Sequence, residues 1–324
     1  MVSLNSIFSS NMIMQANKPV RLFGQGEGNV KVLFNGEEKS VVSNGKWIIE
    51  FDCVDYGGPY IFDVMLDDRH TVIDNVYFGD VYLLAGQSNM QFKLWESNEP
   101  KENYKGNRNV RLFTVDRVED GESFLSSDGW VDLTLDTAPN FSAIGYYVAQ
   151  ALASDSRKIG LIACYQGASV IQSWMRSEVA LRDEFQIEDK FADHEWFPIW
   201  NENGFLYDKM LSKIIPYSLG GVLWYQGESN ASLNEARIYL KMLEAMISSW
   251  REDFKDSTLP FIVVQMADYL DRDTEGWHLV QKAQLDAQDY IPYVKSVICR
   301  DVCDNIDIHP KEKDVLSQRI ASLL

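Results

Sequence analysis

Four apolar runs constrain the fold of this chain more than any other feature. Val76-Tyr-Phe-Gly-Asp-Val-Tyr-Leu-Leu-Ala, Ile159-Gly-Leu-Ile-Ala-Cys, Gly220-Gly-Val-Leu-Trp-Tyr-Gln and Pro260-Phe-Ile-Val-Val-Gln-Met read as buried strands. A near-continuous apolar strand is one covered on both faces. Longer helical patterns separate the runs: Ser142-Ala-Ile-Gly-Tyr-Tyr-Val-Ala-Gln-Ala-Leu-Ala, a second helix ending at Lys213, and residues 235–250. Such alternation predicts an α/β domain over residues 76–324, with a mainly parallel sheet between two helical layers.

The first 75 residues have a different texture. Pro19-Val-Arg-Leu-Phe, Val30-Lys-Val-Leu-Phe, Lys46-Trp-Ile-Ile-Glu-Phe and Tyr60-Ile-Phe-Asp-Val-Met-Leu are rich in β-branched and aromatic residues. Gly24-Gln-Gly-Glu-Gly-Asn, Asn35-Gly, Asn44-Gly and Gly57-Gly-Pro lie between them and read as turns. The expectation is a small antiparallel β-sandwich, jelly-roll or immunoglobulin-like, as an accessory domain over residues 1–75. A length of 324 residues suits two domains at about 150 residues each.

Charge and composition narrow the function classes. With 48 acidic residues against 30 Lys and Arg, the net charge of −18 argues against a nucleic-acid partner, whose phosphates need a basic surface. No run approaches the ~18 apolar residues of a membrane span, so no membrane partner is expected. The N-terminus has neither a basic n-region nor a long apolar h-region, and a cytoplasmic location is expected. Cys53, Cys164, Cys299 and Cys303 lack CxxC spacing and read as free, buried thiols. Cys299-x-x-x-Cys303 alone is too thin for zinc, and the four histidines form no His-Glu-x-x-His pattern, so neither metal nor cofactor is expected.

In open α/β sheets the site lies beyond the carboxyl ends of the strands. Three strands end in small, polar turns: Gly86-Gln-Ser-Asn, Gly167-Ala-Ser and Gln226-Gly-Glu-Ser-Asn; Asp304-Asn-Ile-Asp-Ile-His-Pro is a fourth candidate. Ser88 is a candidate nucleophile if a base takes its proton and donors hold the oxyanion; as a structural residue it would cap a helix. It is not a Gly-x-Ser-x-Gly elbow, because position 90 is Met. His309 is the candidate base, with Asp307 and Asp304 near enough in sequence to hold its second ring nitrogen. His70 and His278 lack that setting, and His194, between Asp193 and Glu195, is a weaker competitor. Gln226 offers an amide to an oxyanion hole, and Glu228 a carboxylate to orient a histidine or bind sugar hydroxyls. The structural alternative is a helix start capped by Ser229 or Asn230. Trp174, Trp196, Trp200, Trp224 and Trp277 suit sugar stacking, or the core.

Taken together, Asn11-Met-Ile-Met-Gln, Gly79-Asp-Val-Tyr-Leu-Leu-Ala-Gly-Gln-Ser-Asn-Met, Gly167, Trp174-Met, Trp224-Tyr-Gln-Gly-Glu-Ser-Asn and Asp307-Ile-His-Pro-x-x-Lys313 resemble the sialate O-acetylesterase family of SGNH-type hydrolases. The resemblance covers most of the chain and implies a flavodoxin-like three-layer α/β/α hydrolase domain that removes acetyl groups from sugars. It implies Ser88 as nucleophile and His309 as base. The backbone N–H groups of Ser88 and Gly167 and the side chain of Gln226 would form the oxyanion hole, with Glu228, Gln87 and Asn89 lining the substrate site. For the acid, Asp307 comes first and Glu228 and Asp304 follow, since position 306, three before the histidine, is Ile. Gly167-Ala168 replaces the two glycines common in relatives, and Gln281 stands where an Arg suited to an acidic sugar is often found. The partner expected is therefore an acetylated carbohydrate: a sialate ester, an acetyl-xylan or another plant sugar ester. A catalytically inactive carbohydrate-binding protein is the competing class; the oligomeric state stays open.

Overall fold

The computed structural model describes residues 1–119, 121–187 and 199–324. Its N-terminal part comprises β1 (Ser3–Leu4), β2 (Ile13–Gln15), β3 (Val20–Phe34), β4 (Glu37–Phe51), β5 (Gly57–Leu66) and the start of β6 (Arg69–Gly86). The Asn35-Gly36 turn joins β3 to β4, which pair without a break from Val20↔Phe51 to Phe34↔Glu37. Two of the expected turns are therefore inside a ladder: Gly26 faces Gly45 and Glu27 faces Asn44. The glycines serve close approach instead. A Cβ on Gly24 would lie 2.0 Å from the Ser3 carbonyl oxygen and one on Gly26 2.1 Å from that of Met1, where β1 pairs antiparallel with β3. The pairings join these strands in one sheet; the two separate sheets of a sandwich are not found among the described residues.

β6 belongs to two sheets. Its first half pairs antiparallel with β5 and its last seven residues run parallel to β9 (Ile159–Tyr165) on one side, while Tyr82–Gly86 pair with β10 (Gly221–Tyr225) on the other. The boundary expected after residue 75 thus falls within one unbroken strand. With β7 (Asn107–Thr114), β8 (Val131–Leu133), β11 (Phe261–Val264) and β12 (Val294–Val297), the central sheet has the order β8-β7-β9-β6-β10-β11-β12, parallel except for β8. Numbered along the chain, the parallel strands β7-β9-β6-β10-β11-β12 stand in the order 2-3-1-4-5-6, which reverses at β6.

The side-chain period of two explains the layers. Tyr82 and Leu84 of β6 enter one core with Ile144 and Val148 of α2 (Ala143–Leu152) and Leu316 and Ile320 of α8 (Asp314–Ala321). Val81, Leu83 and Ala85 enter the other with Met246 and Trp250 of α6 (Leu233–Asp253) and Val280 of α7 (Glu275–Tyr290). Short helices complete the set: α1 (Ser88–Gln91), α3 (Ile171–Trp174), α4 (Ser177–Ala180) and α5 (Phe205–Lys209). Trp174, Trp224 and Trp277 are core residues. Ser142, Ser232 and Thr274 cap α2, α6 and α7 by accepting from the N–H three residues on. Among the described residues no helix is long and apolar enough to cross a membrane.

The N-terminal strands are bonded firmly to the α/β part. Gln15 accepts from the Val81 N–H at 2.8 Å, Trp130 Nε1 donates to the Ile7 carbonyl at 2.9 Å, and the buried Arg21 guanidinium donates to the Phe254 carbonyl at 3.2 Å. The β6–β10 register depends on Gly86, whose φ is +128° and whose Cβ, if present, would lie 2.1 Å from the Tyr225 carbonyl oxygen. Gly86→Ala is expected to lower the unfolding free energy by at least about 2 kcal/mol, read from urea denaturation, since strain and backbone overlap act together there.

Candidate active site

Three strand ends meet where the order reverses between β9 and β10, and β6 delivers Ser88 to that point as the first residue of α1. The Ser88 N–H has no acceptor among the described residues, as expected of a helix start. His309, in the loop between β12 and α8, crosses over the same point, and its Nε2 lies 2.7 Å from Ser88 Oγ. That is hydrogen-bond distance between a hydroxyl and a base 221 positions apart. Burial lowers the His309 pKa from its ordinary 6.5, and the nearby Lys313 charge lowers it further; Asp307 and Glu96 oppose both.

Of the acids weighed, none bonds the second ring nitrogen. Asp307 Oδ1 accepts from the backbone N–H of His309 at 2.9 Å, and Asp304 Oδ1 accepts from those of Ile306 and Asp307. Both carboxylates shape the loop. Glu228, buried just past the end of β10, accepts from Asn89 Nδ2 at 2.6 Å; its Oε2 has no partner among the described residues, and burial raises its pKa. The geometry is a serine–histidine dyad.

The oxyanion donors also differ from expectation. Gln226 is fully buried, with Nε2 donating to the Ser169 carbonyl at 2.9 Å and to Asn230 Oδ1 at 2.7 Å, and Oε1 accepting from Tyr239 Oη at 2.8 Å. Both its N–H bonds are used internally and link the β9 and β10 turns. Gly167 does lie beside Ser88: a Cβ there would be 3.7 Å from Ser88 Cβ. Its N–H donates to Gln91 Oε1 at 2.9 Å, a partner that sequence reading missed. Ala168 holds a left-handed φ of +54° in the same turn, the conformation for which a second glycine would be suited.

Gln87 and Asn89 are likewise buried. Gln87 Oε1 accepts from the Gly227 N–H at 3.2 Å, and Asn89 Nδ2 donates to the Ile308 carbonyl at 2.9 Å. Gln281 is buried and donates to the Met266 and Ala267 carbonyls. His70 and His278 pair with Asp63 and Asp273, away from Ser88; His194 and Trp196 lie outside the described residues. Among the described residues no cluster of His, Cys, Asp and Glu could hold a metal ion. Gln226→Ala is expected to lower stability by about 2–4 kcal/mol in urea denaturation, because Asn230 and Tyr239 lose a partner in a closed interior.

A family model described as carbohydrate esterase, sialic acid-specific acetylesterase, matches residues 78–323. The sialate O-acetylesterase of Rattus norvegicus is 26% identical over 370 residues, covering 92% of this chain and 68% of its own. That of Homo sapiens is 26% identical over 364 residues, covering 97% and 69%. The crystal structure of a carbohydrate acetylesterase from Xanthomonas citri is similar with a TM-score of 0.85 and 26% identity, over 99% of this chain and 74% of that one.

Proposed function

Since the chain belongs to the sialic acid-specific acetylesterase family of carbohydrate esterases, and is thereby a carboxylic ester hydrolase, we propose that it removes O-acetyl groups from saccharides through an acetyl-Ser88 intermediate. The observation that carries this reading is the 2.7 Å contact between Ser88 Oγ and His309 Nε2 at the strand-order reversal. Sialate esters enter as substrates through the names of the relatives, and other acetylated sugars through the Xanthomonas citri enzyme.

The reaction runs in two halves. His309 Nε2 takes the Ser88 proton as Oγ adds to the acetyl carbonyl carbon, and the negative charge collects on the carbonyl oxygen. The unpaired Ser88 N–H is one donor to it; the Gly167 N–H becomes a second when Gln91 Oε1 gives way to the stronger, charged acceptor. Collapse breaks the bond to the sugar oxygen, which leaves with the proton from His309. Water then adds to the acetyl carbon with His309 taking its proton, the bond to Oγ breaks as His309 returns that proton to Oγ, and acetate departs. Asp307 and Glu96 favour the imidazolium that forms in each half, without bonding its ring.

Ser88→Ala and His309→Ala are each expected to cut acetate release from an acetylated-sugar panel by at least about 10³-fold, and the double variant by no more than the worse single one, because the pair acts as a unit. Unchanged release in Ser88→Ala would overturn the assignment. The base must be neutral, so the acid limb of kcat/KM is expected to fall below 6.5, in the direction that burial and Lys313 move His309. A pH–rate series with a limb above 6.5 would contradict this.

A further inference from the structure

The Asn89 side chain joins the two chain segments that carry Ser88 and His309. It follows Ser88 directly, and its Nδ2 donates at 2.9 Å to the carbonyl of Ile308, the residue before His309. The second Nδ2 bond goes to Glu228 Oε1 at 2.6 Å, and Oδ1 accepts from Lys313 Nζ at 2.8 Å. Asn89, Glu228 and Lys313 are 1%, 3% and 1% exposed. Both amide hydrogens are therefore used and the oxygen accepts one bond, and the amide lies between a carboxylate and an ammonium that make no ion pair with each other.

That arrangement has only one favourable orientation. Turning the amide over would set its NH2 against an ammonium and its oxygen against a carboxylate, and would release Ile308. The two charges hold the amide, and the amide holds the His309 loop. Aromatic faces complete the ammonium's surroundings: Lys313 Nζ lies 4.9 Å from the Phe92 ring centroid and 5.6 Å from that of Tyr225. Phe92 in turn lies 6.3 Å from the His309 ring, centroid to centroid.

We propose that Lys313, Asn89 and Glu228 form a single positioning unit, an amide-bridged pair of buried charges that fixes His309 against Ser88. The role rests on the esterase reading and reassigns Asn89 and Glu228 from substrate contact to the support of the base. The unit also acts on the charge of the base. Lys313 opposes protonation of His309, whereas Asp307 and Glu96, which face the ring from its own loop and from the segment after α1, favour it. Lys313 is itself surrounded by Cys299, Cys303, Glu228 and Glu312, which favour its charge against burial.

The test uses Lys313→Met, Glu228→Leu and Glu228→Gln, with turnover expressed per site labelled by a phosphonate, so that loss of folded protein is divided out. Lys313→Met is expected to lower kcat by about 10- to 100-fold, the usual penalty for misplacing a reacting group by around 1 Å, while KM on an acetyl ester changes less than about threefold. Its acid limb is expected to shift up toward the ordinary 6.5. Glu228→Gln, which keeps an acceptor for Asn89, is expected to retain several-fold more kcat than Glu228→Leu. An unmoved acid limb with unchanged kcat per labelled site in Lys313→Met would overturn the proposal; if that variant does not fold, equal kcat in the two Glu228 variants would do so. Turnover surviving Ser88→Ala would instead remove the esterase reading on which the role depends.

Discussion

The rest of the structure depends on the last seven residues of β6. They pair in parallel with β9, and their final five also with β10, so whatever follows Gly86 emerges where the chain's strand order reverses. Connections above and below a parallel sheet leave from opposite sides at that place and open a crevice. Gly86 permits the close β10 backbone, the next turn starts within hydrogen-bond reach of the β9 and β10 turns, and Ser88 occupies its first helical position. Because the first half of β6 is also the inner strand of the N-terminal sheet, the antiparallel strands are tied to the same element that carries the nucleophile.

Below this crevice the interior is unusually polar. Gln226, Asn230, Gln172, Glu235 and Tyr239 are joined by hydrogen bonds of 2.7 to 3.1 Å, and Asn89, Glu228 and Lys313 form a second set. Buried polar groups are costly when unpaired and rigid when paired. The benefit is geometric: turns from three strands and the distant His309 loop are fixed to one another by directional contacts that apolar packing would not supply. Acidic side chains placed near a catalytic histidine in sequence need not bond its ring. Asp304 and Asp307 instead accept from backbone N–H groups, which fixes the path of the loop.

Much of the α/β part was legible because buried parallel strands have a distinctive apolar signature: residues 159–164, 220–226 and 260–266 all contain observed strands. The helix read over residues 142–153 was equally plain and contains α2. β7 and β12 were missed because Asn107–Thr114 and Val294–Val297 carry polar residues suited to strands nearer an edge, and α7 because its apolar face is narrow. Glycine misled in the N-terminal sheet: at Gly24 and Gly26 it marks the close approach of the N-terminal segment, and local sequence does not distinguish that from a turn. Ser88, His309 and Gly167 were found by residue type and are brought together. Gln226, Glu228, Gln87 and Asn89 lie at these same turns and bond groups of the chain that the sequence did not point to, since an amide's direction is set by groups far away in sequence.

The central claim is that one serine among many is activated by one histidine. The most direct measurement is labelling of the intact protein with a fluorophosphonate, with the modified residue located by peptide mass spectrometry and the rate followed against pH. The account predicts a single adduct, on Ser88, formed at a rate that falls on the acid side as His309 becomes protonated. A folded protein that takes no label, or takes it on another residue, would contradict it.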